Sequence, residues 1–278
     1  MNLKSRFWAD LSTRDFAALQ ASPRVHDVVA VLPVAAIEQH GPHLPTSVDT
    51  TLVEGVIAAS LPHIAADVPV LFLPTQQVGK SNEHARFAGT LTLSVQTLIS
   101  VWMELGACVA ASGIKKLVLF NSHGGQVSVM DIVARDLRSA HDMIVFSSNW
   151  FTLPLGDAVL GQFSPSEHRF GIHGGDMETS MMLALRPQCV DMAQARDFKS
   201  SSQERAAKYA VLGDGKSAKL GWQIQDYNAM GAAGNAAIAT AAKGHAVLNA
   251  AGEQLARMLA EVSALPMSTL VDAPHYPS

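Results

Sequence analysis

The sequence predicts an α/β protein: three layers, with helices on both faces of a mostly parallel central sheet. Three observations carry that expectation. Short β-branched apolar runs recur without polar interruption, as expected of strands buried on both faces. Between them lie longer segments whose apolar residues return at helical period. Polar clusters follow directly on the apolar runs, and in open α/β sheets ligands bind beyond the carboxyl ends of the strands.

In chain order, VVAVLPV (Val28–Val34) predicts a strand and TTLVEGVIAASLPHI (Thr50–Ile64) an amphipathic helix. VPVLFLP (Val68–Pro74) predicts a second strand. The helix over Ser94–Gly113 has a serine to cap its start and a glycine at its stop. KLVLFN (Lys116–Asn121) predicts a strand, GGQVSVMDIVARDLRSA a helix, and MIVFSSN (Met143–Asn149) a fourth strand. Thr152–Gly175 reads as irregular. GGDMETSMMLALRP predicts a helix, Phe198–Trp222 a mobile polar excursion, and the segment from Asn235 to Val262 one long final helix. No repeat, low-complexity tract or linker divides the chain, so one domain over residues 1–278 is expected.

Lys+Arg of 20 against Asp+Glu of 24 leaves a net charge of −4, which gives no reason to expect nucleic acid as a partner. Two cysteines, Cys108 and Cys189, make no disulfide framework, and a reduced cytoplasm is the expected location. MNLKSRFWADLSTRD lacks the apolar stretch of a signal peptide. The longest apolar run, broken by Pro33, is too short to span a membrane. Apolar residues at 48% with only 16% charged predict exposed apolar faces and a homo-oligomer.

The chemistry concentrates in three clusters. In IEQHGPHLPTSVDT, Glu38 and His40 are two apart, so in an extended segment they share a face; the Gly-Pro-His-Leu-Pro turn returns Asp49 towards them. NSHGGQ ends the third strand and sets His123 before two glycines that allow close backbone approach. HGGDMETS opens a helix with His173, Asp176 and Glu178. Taken singly, each residue reads as a turn or capping group: Asp49 as N-cap of the helix from Thr50, Glu178 as part of a solvated helix face. Taken together, they offer nitrogen and oxygen ligands without thiolate, a set that suits zinc or manganese. Two ions about 3.5–4 Å apart would activate water near neutral pH and polarise a carbonyl, so amide hydrolysis is the expected reaction class.

Other chemistries fare worse. HGG has no G-x-S-x-G to serve it, and no H-E-x-x-H helix exists. GAAGNAA from Gly231 follows no strand and reads as a turn into the last helix. Cys108 reads as core packing.

The segments LPVAAIEQHGPHLPTSVDT, EHARFAGTLTLS, NSHGGQ, HGGDMETS and GAAGNAAIATAAKGHAVL together resemble the creatininase family, from about Trp8 to the last helix. The resemblance implies an αβα domain, usually in a homohexamer, with two divalent ions per chain, zinc or manganese with iron as an alternative. It makes Glu38 and His123 ligands of one metal, His40 a ligand of the other, Asp49 the bridge, and His173 the proton shuttle to the leaving nitrogen. Creatininase itself has a tyrosine and a metal-binding glutamate where this chain has Gly124 and Gly125. Glu178 is therefore expected as the fifth ligand, or as an acid–base group if His173 proves a ligand. Ser122, Gln126 and Ala88 are further departures, and creatinine is not the expected substrate.

The expected activity is hydrolysis of a C–N bond in a small, cyclic or open-chain, amide. A formamide deformylase or short-peptide trimming enzyme is the alternative. A non-catalytic metal scaffold ranks third, since the ligand and shuttle set is complete. The EHARFAGT loop and residues 152–172 are expected to line the pocket, with Ser81, His84, Arg86 and Arg169 as polar substrate contacts and Asp176 orienting His173.

Overall fold

A computed structural model describes residues 3–276. Four parallel strands form the central sheet in the order β2-β1-β3-β4: β1 (Val29–Val34), β2 (Val70–Phe72), β3 (Lys116–Asn121) and β4 (Ile144–Asn149). β1 and β3 pair from Val29 with Lys116 to Val34 with Asn121, so both end at the same edge.

Side chains alternate across this sheet. Val29, Val31, Val118 and Phe120 face one apolar core, closed by α2 (Val48–Ser60), α7 (Asp176–Leu185) and α9 (Ala241–Ala264). Ala30, Leu32, Leu117 and Leu119 face the other, closed by α3 (Val95–Ala111) and α4 (Val127–His141). Three layers result, as the apolar strands imply. On α9, Gly244 lies so close to α7 that a Cβ would sit 1.9 Å from the Ser180 carbonyl oxygen, and only glycine fits there.

Ser94 caps α3 by accepting from the Thr97 N–H, and Gly113 follows at φ +87°, where a side chain would be strained. Other boundaries differ from expectation. α2 starts before Thr50, so Asp49 lies in its first turn and Ser47 takes the cap position. The final helix starts at Ala241, because the Thr240 hydroxyl accepts from Lys243 N–H. Just upstream, β6 (Gly234–Asn235) pairs with β5 (Asp197–Phe198) as a separate two-stranded ribbon.

Residues 152–175 are more ordered than their composition suggests. α5 (Asp157–Leu160) and α6 (Pro165–Phe170) lie there, and Leu153, Leu155 and Phe163 enter the α9-side core. The polar excursion contains α8 (Ser201–Lys208). α1 (Thr13–Gln20) begins with a capping box between Ser12 and Asp15. Cys108 is exposed, off the Leu98, Trp102, Gly106, Val109 stripe that α3 buries, which corrects the core reading. Among the described residues, no helix is long and apolar enough to cross a membrane.

Candidate metal centre

The opening polar stretch leaves β1 and doubles back. Glu38 N–H donates to the Thr46 carbonyl at 3.0 Å, and Gly41 turns the chain at φ +77°. This closure sets Asp49 beside Glu38 and His40. β3 delivers His123, whose backbone N–H donates to Asn121 Oδ1 at 2.9 Å, while Gln126 Nε2 holds that same oxygen. His173 arrives on a short backbone pairing with Ala233, and Glu178 from the first turn of α7.

Backbone carbonyls set the histidine tautomers, since a carbonyl oxygen only accepts. Neutral His40 carries its proton on Nδ1, 3.0 Å from Glu38 O; neutral His123 on Nε2, 2.9 Å from Lys80 O; neutral His173 on Nε2, 2.6 Å from Gln39 O. Each then aims a lone pair inward. His123 Nδ1 lies 3.2 Å from Glu38 Oε1 and 3.6 Å from Asp49 Oδ2. His40 Nε2 lies 3.7 Å from Asp49 Oδ1, and His173 Nδ1 3.7 Å from Glu38 Oε1.

His40 Nε2, Glu38 Oε2 and Asp49 Oδ2 are all buried without a hydrogen-bond partner. Leaving a buried polar group unpaired costs about 1–3 kcal/mol, more when it is charged. Several inward-facing carboxylate oxygens and imidazole lone pairs in one water-poor space fit a cation better than they fit one another. Groups whose ligand atoms lie within 4.8 Å of one another are Glu38–His40–Asp49, Glu38–Glu83–His123, His40–His173–Glu178 and Glu38–His84–His173.

Among themselves, the carboxylates and rings shift one another. Burial opposes charge on His40, but Asp49, Glu178 and Glu38 outweigh it and raise the ring to about 9. His123 is likewise raised, against burial, by Glu38 and Glu83. Burial alone would raise Glu38, yet His123, His84 and His173 hold it well below its usual range. Burial lifts Glu178 to about 7 and lowers His84 to about 4. His173 is pushed well down by burial and by His40 and His84.

All five expected ligands and His173 therefore converge, and Ser81 and His84 join them. Ser81 Oγ lies 3.3 Å from His123 Nε2, and His84 Nε2 lies 3.5 Å from Glu38 Oε1. Arg169 does not: it is exposed, donates to the Gly213 carbonyl and stacks over Phe170. Arg86 is exposed as well. Asp176 does not orient His173 either; it is bound by Lys243 Nζ at 2.6 and 2.7 Å, and the Gln39 carbonyl takes its expected place. From residues 152–172, Leu153, Leu155 and Phe163 turn into the α9-side core, and the aromatic beside His84 is Trp222, edge-on at 6.0 Å, from the end of the excursion.

Sequence reasoning passed over two residues. Gln39 Nε2 donates to the Gly231 carbonyl at 2.7 Å and lies 2.8 Å from His84 Nδ1, tying three loops together. Glu83 sits 3.2 Å from His123 Nε2. Both stand next to residues already singled out, and that adjacency was the available signal.

A three-layer α/β fold with a buried histidine–carboxylate centre at the strand carboxyl edge defines the class: an α/β protein built around a candidate metal site. The family model for creatininase (creatinine amidohydrolase) matches residues 9–259. The creatinine amidohydrolase of Pseudomonas putida is 33% identical over 208 residues, 70% of this chain and 77% of its own. The mycofactocin precursor peptide peptidase of Mycobacterium tuberculosis (strain CDC 1551 / Oshkosh) is 30% identical over 238 residues, 83% of this chain and 84% of its own. A creatininase crystal structure superposes with TM-score 0.75 at 27% identity, covering 95% of this chain and all of that one. Other solved creatininases, at TM-score 0.73, are described as a Mn form and as a Zn–Zn type. The chain belongs to the creatininase family. It is an amidohydrolase, an enzyme that hydrolyses carbon–nitrogen bonds.

Proposed function

We propose that this chain is a single catalytic domain cleaving a small amide other than creatinine, with two divalent ions, zinc or manganese, iron being the alternative. Glu38 and His123 would hold one ion and His40 and Glu178 the other, with Asp49 placed to serve both. The observation that carries this reading is the set of buried, unpartnered atoms on Glu38, His40 and Asp49. Bound ions would supply water activation and carbonyl polarisation.

The chain's own residues do the rest. Backbone carbonyls fix the ligand rings, which keeps their lone pairs inward and lowers the reorganisation needed for binding. His173 has its Nε2–H committed to the Gln39 carbonyl and its Nδ1 free to take a proton and return it to the leaving nitrogen. Glu178, raised to about 7 by burial, takes that role if His173 is a ligand. His84, 3.5 Å from Glu38 Oε1, contacts the substrate, while Ser81, the other expected contact, lies buried on the outer edge of the His123 ring.

Short peptides or open-chain formamides are the second reading, favoured by the longer match to the peptide peptidase, 83% of this chain against 70% for the creatinine enzyme. Exposed Ile132 on α4 and Phe146 on the edge strand β4 support a homo-oligomer, with a hexamer resting on the resemblance; the cytoplasm is the location that the lack of a disulfide framework favours. The test is elemental analysis followed by an activity screen over cyclic ureides, imides, lactams, formamides and short peptides with added Mn or Zn. Active enzyme without metal would sink the reading.

A further inference from the structure

A Cβ built on Gly125 would lie 1.7 Å from Glu83 Oε1, 2.8 Å from Glu83 Cδ and 2.6 Å from His123 Nε2. The Glu83 carboxylate thus fills the space in which a side chain at residue 125 would begin. It comes from a different loop, the turn Asn82–His84, and arrives buried. Its Oε1 has no hydrogen-bond partner, although it lies 3.2 Å from His123 Nε2. That nitrogen has one proton, and the Lys80 carbonyl at 2.9 Å is better aligned to receive it. The opposite edge of the ring, Nδ1, faces Glu38 and Asp49.

A buried carboxylate with an unshared oxygen destabilises a fold, so packing gives no reason for it. Its placement on the outer edge of a candidate ligand ring does. Negative charge beside Nε2–H draws that proton outward and makes Nδ1 a better donor to a cation, and it restrains rotation of the ring. We propose that Glu83 is the positioning residue of His123, tuning its hold on the metal, and that residue 125 is glycine in order to admit this carboxylate. Glu83 and Gly125 form one device, since the carboxylate reaches the ring only where residue 125 has no Cβ.

The inference rests on the metal-centre reading, and the experiment separates the two. Zn and Mn affinities of the full-length protein would be measured by chelator competition for wild type, Glu83→Gln and Glu83→Ala, alongside the melting temperature of each metal-free chain and kcat at saturating metal. Glu83→Ala is expected to bind about 10–100-fold more weakly, the usual cost of losing a ligand's outer partner. Glu83→Gln keeps the oxygen but not the charge, so its loss is smaller. The metal-free melting temperatures show whether each variant is folded, and kcat at saturating metal should fall less than affinity. If Glu83→Ala fails to fold, the near-isosteric Glu83→Gln decides. Affinity within twofold of wild type in a folded Glu83→Gln overturns the proposal. So does intact affinity with a collapse in kcat, which would make Glu83 a catalytic group. A wild-type chain that binds neither ion overturns the metal-centre reading itself.

Discussion

Two buried charged clusters lie on either side of the Gly174–Gly175 turn, and they differ in one respect. Around Asp176, every carboxylate oxygen is engaged. Lys243 Nζ contacts both oxygens, Ser180 Oγ donates to one, and the neighbouring Glu167 receives the backbone N–H groups of Asp176 and Asn235 at 2.6 and 3.0 Å. Around Glu38, oxygens of Glu38, Asp49 and Glu83 and one nitrogen of His40 are buried and unengaged. The first cluster is a finished ionic joint between α7 and α9. The second leaves lone pairs open, which the proposed ions would close. Burial and charge alone would rank the two alike; satisfaction of the lone pairs separates them.

The largest effect should follow from removing the shared oxygen donor of the open cluster. Asp49→Ala is expected to lose both ions and bring activity to background, while the metal-free chain folds at least as well as wild type. Metal content and thermal melting check both halves. His123→Ala should behave similarly. Retained stoichiometric metal in Asp49→Ala would remove this residue from the bridge.

His173→Ala should keep its metals and its fold yet lose turnover by about 10²–10⁴, the range for a missing general acid or base. Single-turnover kinetics on metal-loaded protein measure this. A metal-free His173→Ala would move the histidine among the ligands and leave Glu178 as the acid–base group.

The closed cluster should respond in the opposite manner. Lys243→Met leaves Asp176 buried and unpaired, which is expected to cost about 3 kcal/mol by denaturant unfolding, with metal content unchanged. If metal is lost and stability is not, the two clusters have been assigned the wrong way round.

The smallest effect belongs to His43, which sits between them. Its Nε2 lies 2.9 Å from Thr179 Oγ1, its ring stacks on Phe198, and burial lowers it to about 4. Between pH 6.5 and 4 the unfolded chain binds a proton that the folded chain refuses, so stability falls as pH drops through that window and levels off below it. His43→Asn should make this limb of the metal-free stability profile shallower, His84 and His173 supplying the rest. An unchanged slope would show that other groups set it.

How far the residues announced this outcome can be followed element by element. KLVLFN was legible as a strand to the residue, because unbroken apolar character and flanking polar residues are local properties. The stop of α3 at Gly113 was legible for the same reason, while α9 was placed too early because alanine-rich helical pattern hid the Thr240 cap. The ligand residues were legible by type and by their position after strands. Arg169 and Asp176 were misassigned because charge near a motif says nothing about which way a side chain is drawn. Lys243, 67 residues from Asp176, decided that case.

What the amino-acid order determined by itself was periodicity, turn chemistry and an inventory of donors: the strands, the helices, and Glu38, His40, Asp49, His123, His173 and Glu178. What only the tertiary structure decided was convergence and satisfaction. Glu83 meets His123 across 40 residues, and Trp222 meets His84 across 138. Which oxygens find partners on the way in is settled there too. Local pattern follows from each residue's own sterics and hydropathy, whereas a lone pair is left open or closed only by where the rest of the chain comes to rest.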